Sequence, residues 1–244
     1  MSNYARLDSL LKEQAPPTGG DADVVYDYAR AIAAVEGVVA VVSDLRLHTS
    51  RIFYGDFAKI TGFGTGCSDE DSIWEKEILS LMPAQEQEAK FIAELCFYHY
   101  LKRLGPRRRH CYLMTKLRFR DGKGSYLDIL HRMYYIYGAD GVSVRFGLCL
   151  YGPLTFDFKG RSVAVDSLTG IAEELDASAE ETILSGRERQ VLALIDKGMK
   201  SREIAAALSI SVHTVSRHRQ EILARLQVKN SIEACRLAKT MELI

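Results

Sequence analysis

Four polar side chains near the C-terminus, His213, Ser216, Arg217 and Gln220, are spaced three or four residues apart, and Val215 and Ile222 take the opposite side of the same stretch. In a helix that spacing makes one hydrogen-bonding face and one packing face. The chemistry open to the polar face is that of base edges. A guanidinium can fork onto guanine O6 and N7, and a carboxamide onto adenine N6 and N7; each such pair contributes about 1–3 kcal/mol of discrimination. Ser216, Arg217 and Gln220 are therefore the candidate base-reading residues. Arg202, Thr214, His218, Arg219 and Lys229 are the candidate phosphate contacts, which fix register rather than sequence. Two bland readings stand beside these: Arg217 and Glu221, at i and i+4, can pair on a solvated face, and His218 can be a packed helix histidine.

The surrounding segment predicts four helices that would hold this face. Ser185-Gly-Arg-Glu188 is a capping box ahead of a helix with Val191, Leu192, Leu194 and Ile195 on its apolar side and Gly198 as its stop. Ser201 is expected to cap a second helix, with Ile204, Ala205 and Leu208 inward. Leu208-Ser-Ile-Ser211 turns the chain, and Ser211 caps a third helix, Val212 to Leu226. Ser231 is expected to cap a fourth, with Ile232, Cys235, Leu237, Ala238 and Met241 apolar. Two short helices joined by a turn of about three residues make a helix-turn-helix, whose second helix enters a major groove. Ala205 keeps their crossing close.

The segment closely resembles the LuxR-type helix-turn-helix family. The residues that carry the resemblance are Leu184-Ser-Gly-Arg-Glu188, Val191-Leu192, Gly198, Glu203-Ile-Ala205, Leu208-x-Ile-Ser211, Thr214-Val215, His218, Ile222-Leu223, Leu226 and Val228-Lys-Asn230. The resemblance implies DNA binding, regulation of transcription and dimerisation through the fourth helix. Two positions depart from the pattern: Gly186 replaces a usual Pro, and Lys200 stands where a small capping residue is common, which leaves the cap to Ser201.

Charge supports this division. The 244-residue chain is neutral overall, with 32 basic and 32 acidic residues, but residues 185–244 carry 11 Lys and Arg against 6 Asp and Glu. A basic tail on an acidic body points to a polyanionic partner. Domains are expected at 1–172 and 185–244, with an acidic linker over 173–184; Pro16-Pro-Thr-Gly-Gly20 marks a second break.

The body mixes both periods. Helices are expected at Val24–Val35, Glu70–Met82 and Ala84–Leu104, with one helical turn at Phe57–Thr61 closed by Gly62. Strands are expected at Val38–Asp44, Leu45–Tyr54, His110–Arg120, Tyr126–Tyr137 and Val142–Tyr151, the last three joined through Asp121-Gly122-Lys123-Gly124 and Ala139-Asp140-Gly141. The expected fold is thus an α+β domain with an antiparallel sheet, followed by an all-α four-helix domain. The order of the body elements, with Phe57-Ala-Lys-Ile-Thr-Gly-Phe63, resembles a PAS domain over about residues 35–160, which implies a sensory role.

Other features test competing functions. Asp44 ends an apolar strand, as a phosphate-accepting Asp does in a response-regulator receiver, but no acidic pair or alternating βα units accompany it, so a turn role is the better reading. Arg107-Arg-Arg109-His110 reads as the solvated start of a strand, Trp74 as a packing residue, and Tyr134, Tyr135, Tyr137 and Tyr151 as core or dimer aromatics. Cys67 is expected as a loop thiol and Cys96, Cys111, Cys149 and Cys235 as buried packing residues; this odd, scattered set without a C-x-x-C pair is a poor disulfide framework, and a metal site is the minor alternative to packing. No catalytic constellation or cofactor motif is recognisable, although a small-molecule ligand in the PAS-like body stays open. The longest apolar run, Gly37–Val42, is far too short to cross a membrane, and acidic residues among the first thirty argue against a secretory signal. The reading reached is a cytoplasmic one-component transcription regulator whose partners are double-stranded DNA, a second copy of the chain and RNA polymerase. The alternatives are a response regulator switched at Asp44 and an interaction protein whose body is only a dimerisation scaffold.

Overall fold

The computed structural model describes residues 3–14, 19, 21–175, 184–226, 228–240 and 244. The chain divides into two compact units, one of Leu10–Leu175 and the other of Met1–Ser9 with Asp176–Ile244. Helix α1 spans Asn3–Lys12. Among the described residues no helix is long and apolar enough to cross a membrane.

The larger unit is built on an antiparallel sheet. Its strands are β1 (Val39–Asp44), β2 (Thr49–Tyr54), β3 (Gly66–Glu70), β4 (Cys111–Arg120), β5 (Tyr126–Tyr137), β6 (Val144–Pro153), β7 (Ser162–Asp166) and β8 (Ala172–Glu174). They lie in the order β3-β2-β1-β6-β5-β4-β7-β8. β1 and β6 sit inside the sheet with both faces covered, and burial accordingly runs along nearly their whole length instead of alternating, taking in the polar Ser43, Asp44 and Arg145 as well as the apolar residues. α5 (Ala84–Leu104) supplies Ala93, Phe97, Tyr100 and Leu101 to the core on one face, against Val39, Val41, Leu113, Ile129, Met133 and Tyr151. α2 (Ala22–Glu36) sets Ala29 and Ala33 on the other face, against Ala40, Val42, Phe53, Leu148 and Leu150. This is the expected α+β, PAS-like arrangement in its central five strands, β2-β1-β6-β5-β4, to which the unexpected β3 is added at one edge and β7 and β8 at the other.

The short helix α3 (Phe57–Thr61) ends at Gly62, whose φ of 83° is a conformation that Gly adopts without strain. Gly55 has a different reason: a Cβ there would stand 2.3 Å from the Ala33 carbonyl oxygen, so only a bare backbone passes the end of α2.

Several expected bounds are corrected. The helix expected over Glu70–Met82 is only α4, Lys76–Ser80. Residues 66–70 are instead the edge strand β3, which pairs with β2 and carries the exposed Cys67. The Glu70 carboxylate then accepts the backbone N–H groups of Lys76 and Glu77 at 2.9 and 3.0 Å, which starts α4 late. Leu45–His48 is a turn rather than strand. Arg107–His110 lies in a 3₁₀ turn, Gly105–His110, that leads straight into β4, so the strand starts at Cys111 and not at His110. Glu173 and Glu174, expected in a linker, belong to β8; residues 176–183 of that linker and most of Pro16–Gly20 fall outside the described residues. Trp74 is buried edge-on against Phe91, and the other four cysteines are buried, as expected.

Candidate nucleic-acid interface

The C-terminal helices are α6 (Gly186–Asp196), α7 (Ser201–Ala207), α8 (Val212–Leu226) and α9 (Ser231–Thr240). Their inner faces enclose Val191, Leu192, Ile204, Val215, Ala234 and Ala238, all at 0% exposure. Ala205 is buried where α7 meets α8, and its carbonyl accepts the Ile210 N–H across the turn at 3.0 Å. Ser209 turns the chain with a φ of 54°. The capping box at Ser185 is formed in both directions, with Glu188 N–H to Ser185 Oγ at 3.2 Å and Ser185 N–H to Glu188 Oε2 at 2.7 Å. Ser211 Oγ accepts the Thr214 N–H at 3.0 Å and so starts α8.

That start leaves His213, Ser216, Arg217 and Gln220 exposed along one side of α8, while Val215, Ile222 and Leu226 are buried on the other. Ser216 Oγ donates to the Val212 carbonyl at 3.1 Å and keeps its lone pairs outward. Arg217 Nε lies 3.3 Å from Glu221 Oε1, the bland pairing that the spacing allowed, with 64% of the Arg217 side chain still exposed. His218 is mostly buried, with Nδ1 3.3 Å from Glu221 Oε2, so one carboxylate serves both residues. Thr214 shares a 2.8 Å hydrogen bond with Ser211 at the first turn. Arg202 on α7 and Lys229 ahead of α9 are exposed.

Arg219 is placed differently from the expectation. Its guanidinium donates to Ser201 Oγ and to Ser231 Oγ, both at 3.1 Å. It therefore ties the first residues of α7 and α9 together, with two of its N–H donors engaged within the unit. The two serines it holds were expected to be caps and are not. Glu203 takes the Lys200 N–H ahead of α7, and Asn230 Oδ1 caps α9 by accepting the Glu233 N–H at 3.0 Å. Arg187 is a residue the sequence reading missed: it donates to the Leu208 carbonyl and so braces α6 on the turn. Its only sequence signal was its place inside the capping box. The Leu237 side chain and Met241 fall outside the described residues.

Asp44 is closed to solvent. It accepts the Arg46 and Leu47 N–H groups at 2.8 and 2.9 Å and is ion-paired to the buried Arg145. Asp44 therefore serves the turn after β1, with one carboxylate oxygen taken by two backbone N–H groups and by Arg145.

Residues 182–238 match the family described as bacterial regulatory proteins, luxR family. Over 73 residues the chain is 41% identical to the transcriptional activator protein EsaR of Pantoea stewartii subsp. stewartii, which covers 30% of this chain and 29% of that protein. It is 42% identical over 64 residues to the transcriptional regulatory protein DesR of Bacillus subtilis, covering 26% and 32%. The chain thus spans about a third of the length of the curated relatives it matches. Among solved structures it is similar to a phage VqmA–DPO complex, at 14% identity over 91% of each chain with a TM-score of 0.30.

Proposed function

We propose that this protein is a sequence-specific DNA-binding regulator of transcription, acting as a homodimer in the cytoplasm, with the PAS-like unit as its sensory part. The observation that carries the reading is the exposed polar stripe of α8, held by a buried apolar face in a LuxR-type segment. α8 enters the major groove. Ser216, Arg217 and Gln220 read base edges, while Arg202, Thr214 and Lys229 hold phosphates. His218 is available to a phosphate only by leaving Glu221. Ile232, 82% exposed on α9, supports pairing through that helix. RNA polymerase is the further partner that such a regulator would engage. The relatives are named as transcriptional regulators, not enzymes, which supports a non-catalytic role.

Selection of bound duplexes from a random pool tests the reading. The expected consensus is two-fold symmetric, with half-sites about one turn, roughly 10 bp, apart. Failure to enrich any sequence at low salt would refute it.

A further inference from the structure

We propose that Glu94, His131 and Cys149, inside the PAS-like unit, form a binding site for a thiophilic divalent cation of the zinc class. The three residues are far apart in sequence, and no spacing advertises them. The sheet register brings two together: His131 pairs with Tyr151, and Met133 with Cys149, which makes His131 and Cys149 diagonal neighbours on one face. α5 packs on that face and adds Glu94. One donor atom from each lies within 4.8 Å of the others, and His131 Nε2 is 3.8 Å from Glu94 Oε1. Zinc–ligand bonds of about 2.0–2.3 Å place tetrahedral donors roughly 3.3–3.8 Å apart, so small side-chain shifts close the site.

Two independent features call for an occupant. His131 is fully buried, yet neither ring nitrogen makes a hydrogen bond. Such a group is rare and costly without a partner. The second feature is charge. Buried Glu75 and Glu94 face one buried cation, Lys90, whose Nζ lies 3.3 Å from Glu75 Oε2 and 2.7 Å from Glu94 Oε1. The latter approach is close enough for an ion pair, but Glu94 Oε1 makes no hydrogen bond with good geometry. With both carboxylates ionised one negative charge is left over, and burial accordingly pushes the Glu94 carboxyl up to about 6. A divalent cation bound with Cys149 as thiolate brings two carboxylates, one thiolate, one ammonium and the metal to zero.

The protonation states agree. Burial, reinforced by Lys90, holds His131 well below its usual range, which keeps it neutral with a lone pair to give. Burial and then Glu75 raise the Cys149 thiol, so the thiol proton leaves to solvent only as the sulfur–metal bond forms. Thr115, the cross-strand partner of His131, has a buried hydroxyl that likewise makes no hydrogen bond. A donor set of sulfur, nitrogen and oxygen selects zinc-like ions over magnesium or calcium.

The test is titration of the reduced, chelator-treated full chain with Co²⁺. One equivalent is expected to give a thiolate-to-cobalt charge-transfer band and tetrahedral visible absorption, both removed by added Zn²⁺. Cys149→Ser is expected to abolish the charge-transfer band, His131→Gln to weaken binding about tenfold or more, and Cys67→Ser to change neither. If Cys149→Ser does not fold, His131→Gln and Cys67→Ser still decide. Absence of the band, its loss in Cys67→Ser, or its survival in folded Cys149→Ser would overturn the site. So would an imidazole NMR titration in which His131 shares a proton with Glu94 and ignores Zn²⁺.

Discussion

Arg217 faces a choice between two partners. The Glu221 carboxylate at 3.3 Å is exposed, and such helix-surface pairs contribute about 0.3–0.5 kcal/mol. A guanine edge offers a fork at about 1–3 kcal/mol of discrimination, so the groove is the stronger attraction. Arg217→Ala is therefore expected to relax preference at one base pair by about 1–3 kcal/mol, measured by competition among single-site operator variants. Lys229→Ala is expected to weaken every sequence alike and to flatten the salt dependence by about one counterion. An even loss across sequences from Arg217→Ala would demote it to a backbone contact. Asp44 is the contrasting residue, because its value lies in the fold. Asp44→Ala leaves Arg145 buried without its carboxylate, and removal of one partner from such a pair costs about 3–5 kcal/mol, readable as a lower Tm of the PAS-like unit. Treatment of the wild type with a small phosphodonor is expected to add no mass at Asp44.

At the scale of elements, Arg219 separates a fastening from a contact. It joins Ser201 and Ser231, two positions thirty residues apart in sequence that begin α7 and α9. Arg219→Ala is expected to destabilise the C-terminal unit by on the order of 2 kcal/mol, in line with lost charge-assisted hydrogen bonds, while the salt slope of DNA binding stays as in the wild type. A fall in slope with unchanged stability would return Arg219 to the phosphate set. Its sequence context could not reveal this, because a helix wheel places Arg219 near the boundary of the polar face and says nothing of the hydroxyls across the turn. The same limit explains what else was hidden. The stripe of His213, Ser216, Arg217 and Gln220 was legible because local spacing alone defines a helix face. The capping box at Ser185 was legible because its two hydrogen bonds are four residues wide. The edge strand β3, with the sequence Gly-Cys-Ser-Asp-Glu, has no apolar alternation and exists through its pairing to β2. β8 is three exposed residues paired to β7, with Glu173 also hydrogen-bonded to Tyr100. The Glu94–His131–Cys149 cluster depends on strand register and on the passage of α5, neither of which a linear pattern encodes.

At the scale of the whole molecule, the proposed reading of a symmetric operator needs two copies of α8, and we propose that α2 adds a second seam to the pairing proposed for α9. α2 exposes Val24, Tyr28, Ala31 and Val35. Their spacing of four, three and four residues is the seam of a helix pair, in which each stripe is complementary to itself. Val35 is 86% exposed and Val24 63%, unusual for β-branched apolar residues on a helix whose inner side is already packed. Asp27 and Arg30 flank the stripe with both signs of charge, which suits a paired seam better than a lipid surface. Tyr28→Lys with Val35→Lys is expected to shift sedimentation of the full chain from dimer toward monomer. Neither side chain supports the core, so the unfolding free energy of the PAS-like unit is expected to change by no more than about 0.5 kcal/mol. DNA binding then separates the two levels of assembly. The variant is expected to bind a single half-site as well as the wild type does and to lose affinity only for the full, two-fold site. Unchanged dimerisation in the double variant would assign the pairing to α9 alone. Lost half-site binding would mean that the substitutions act on the fold rather than on assembly.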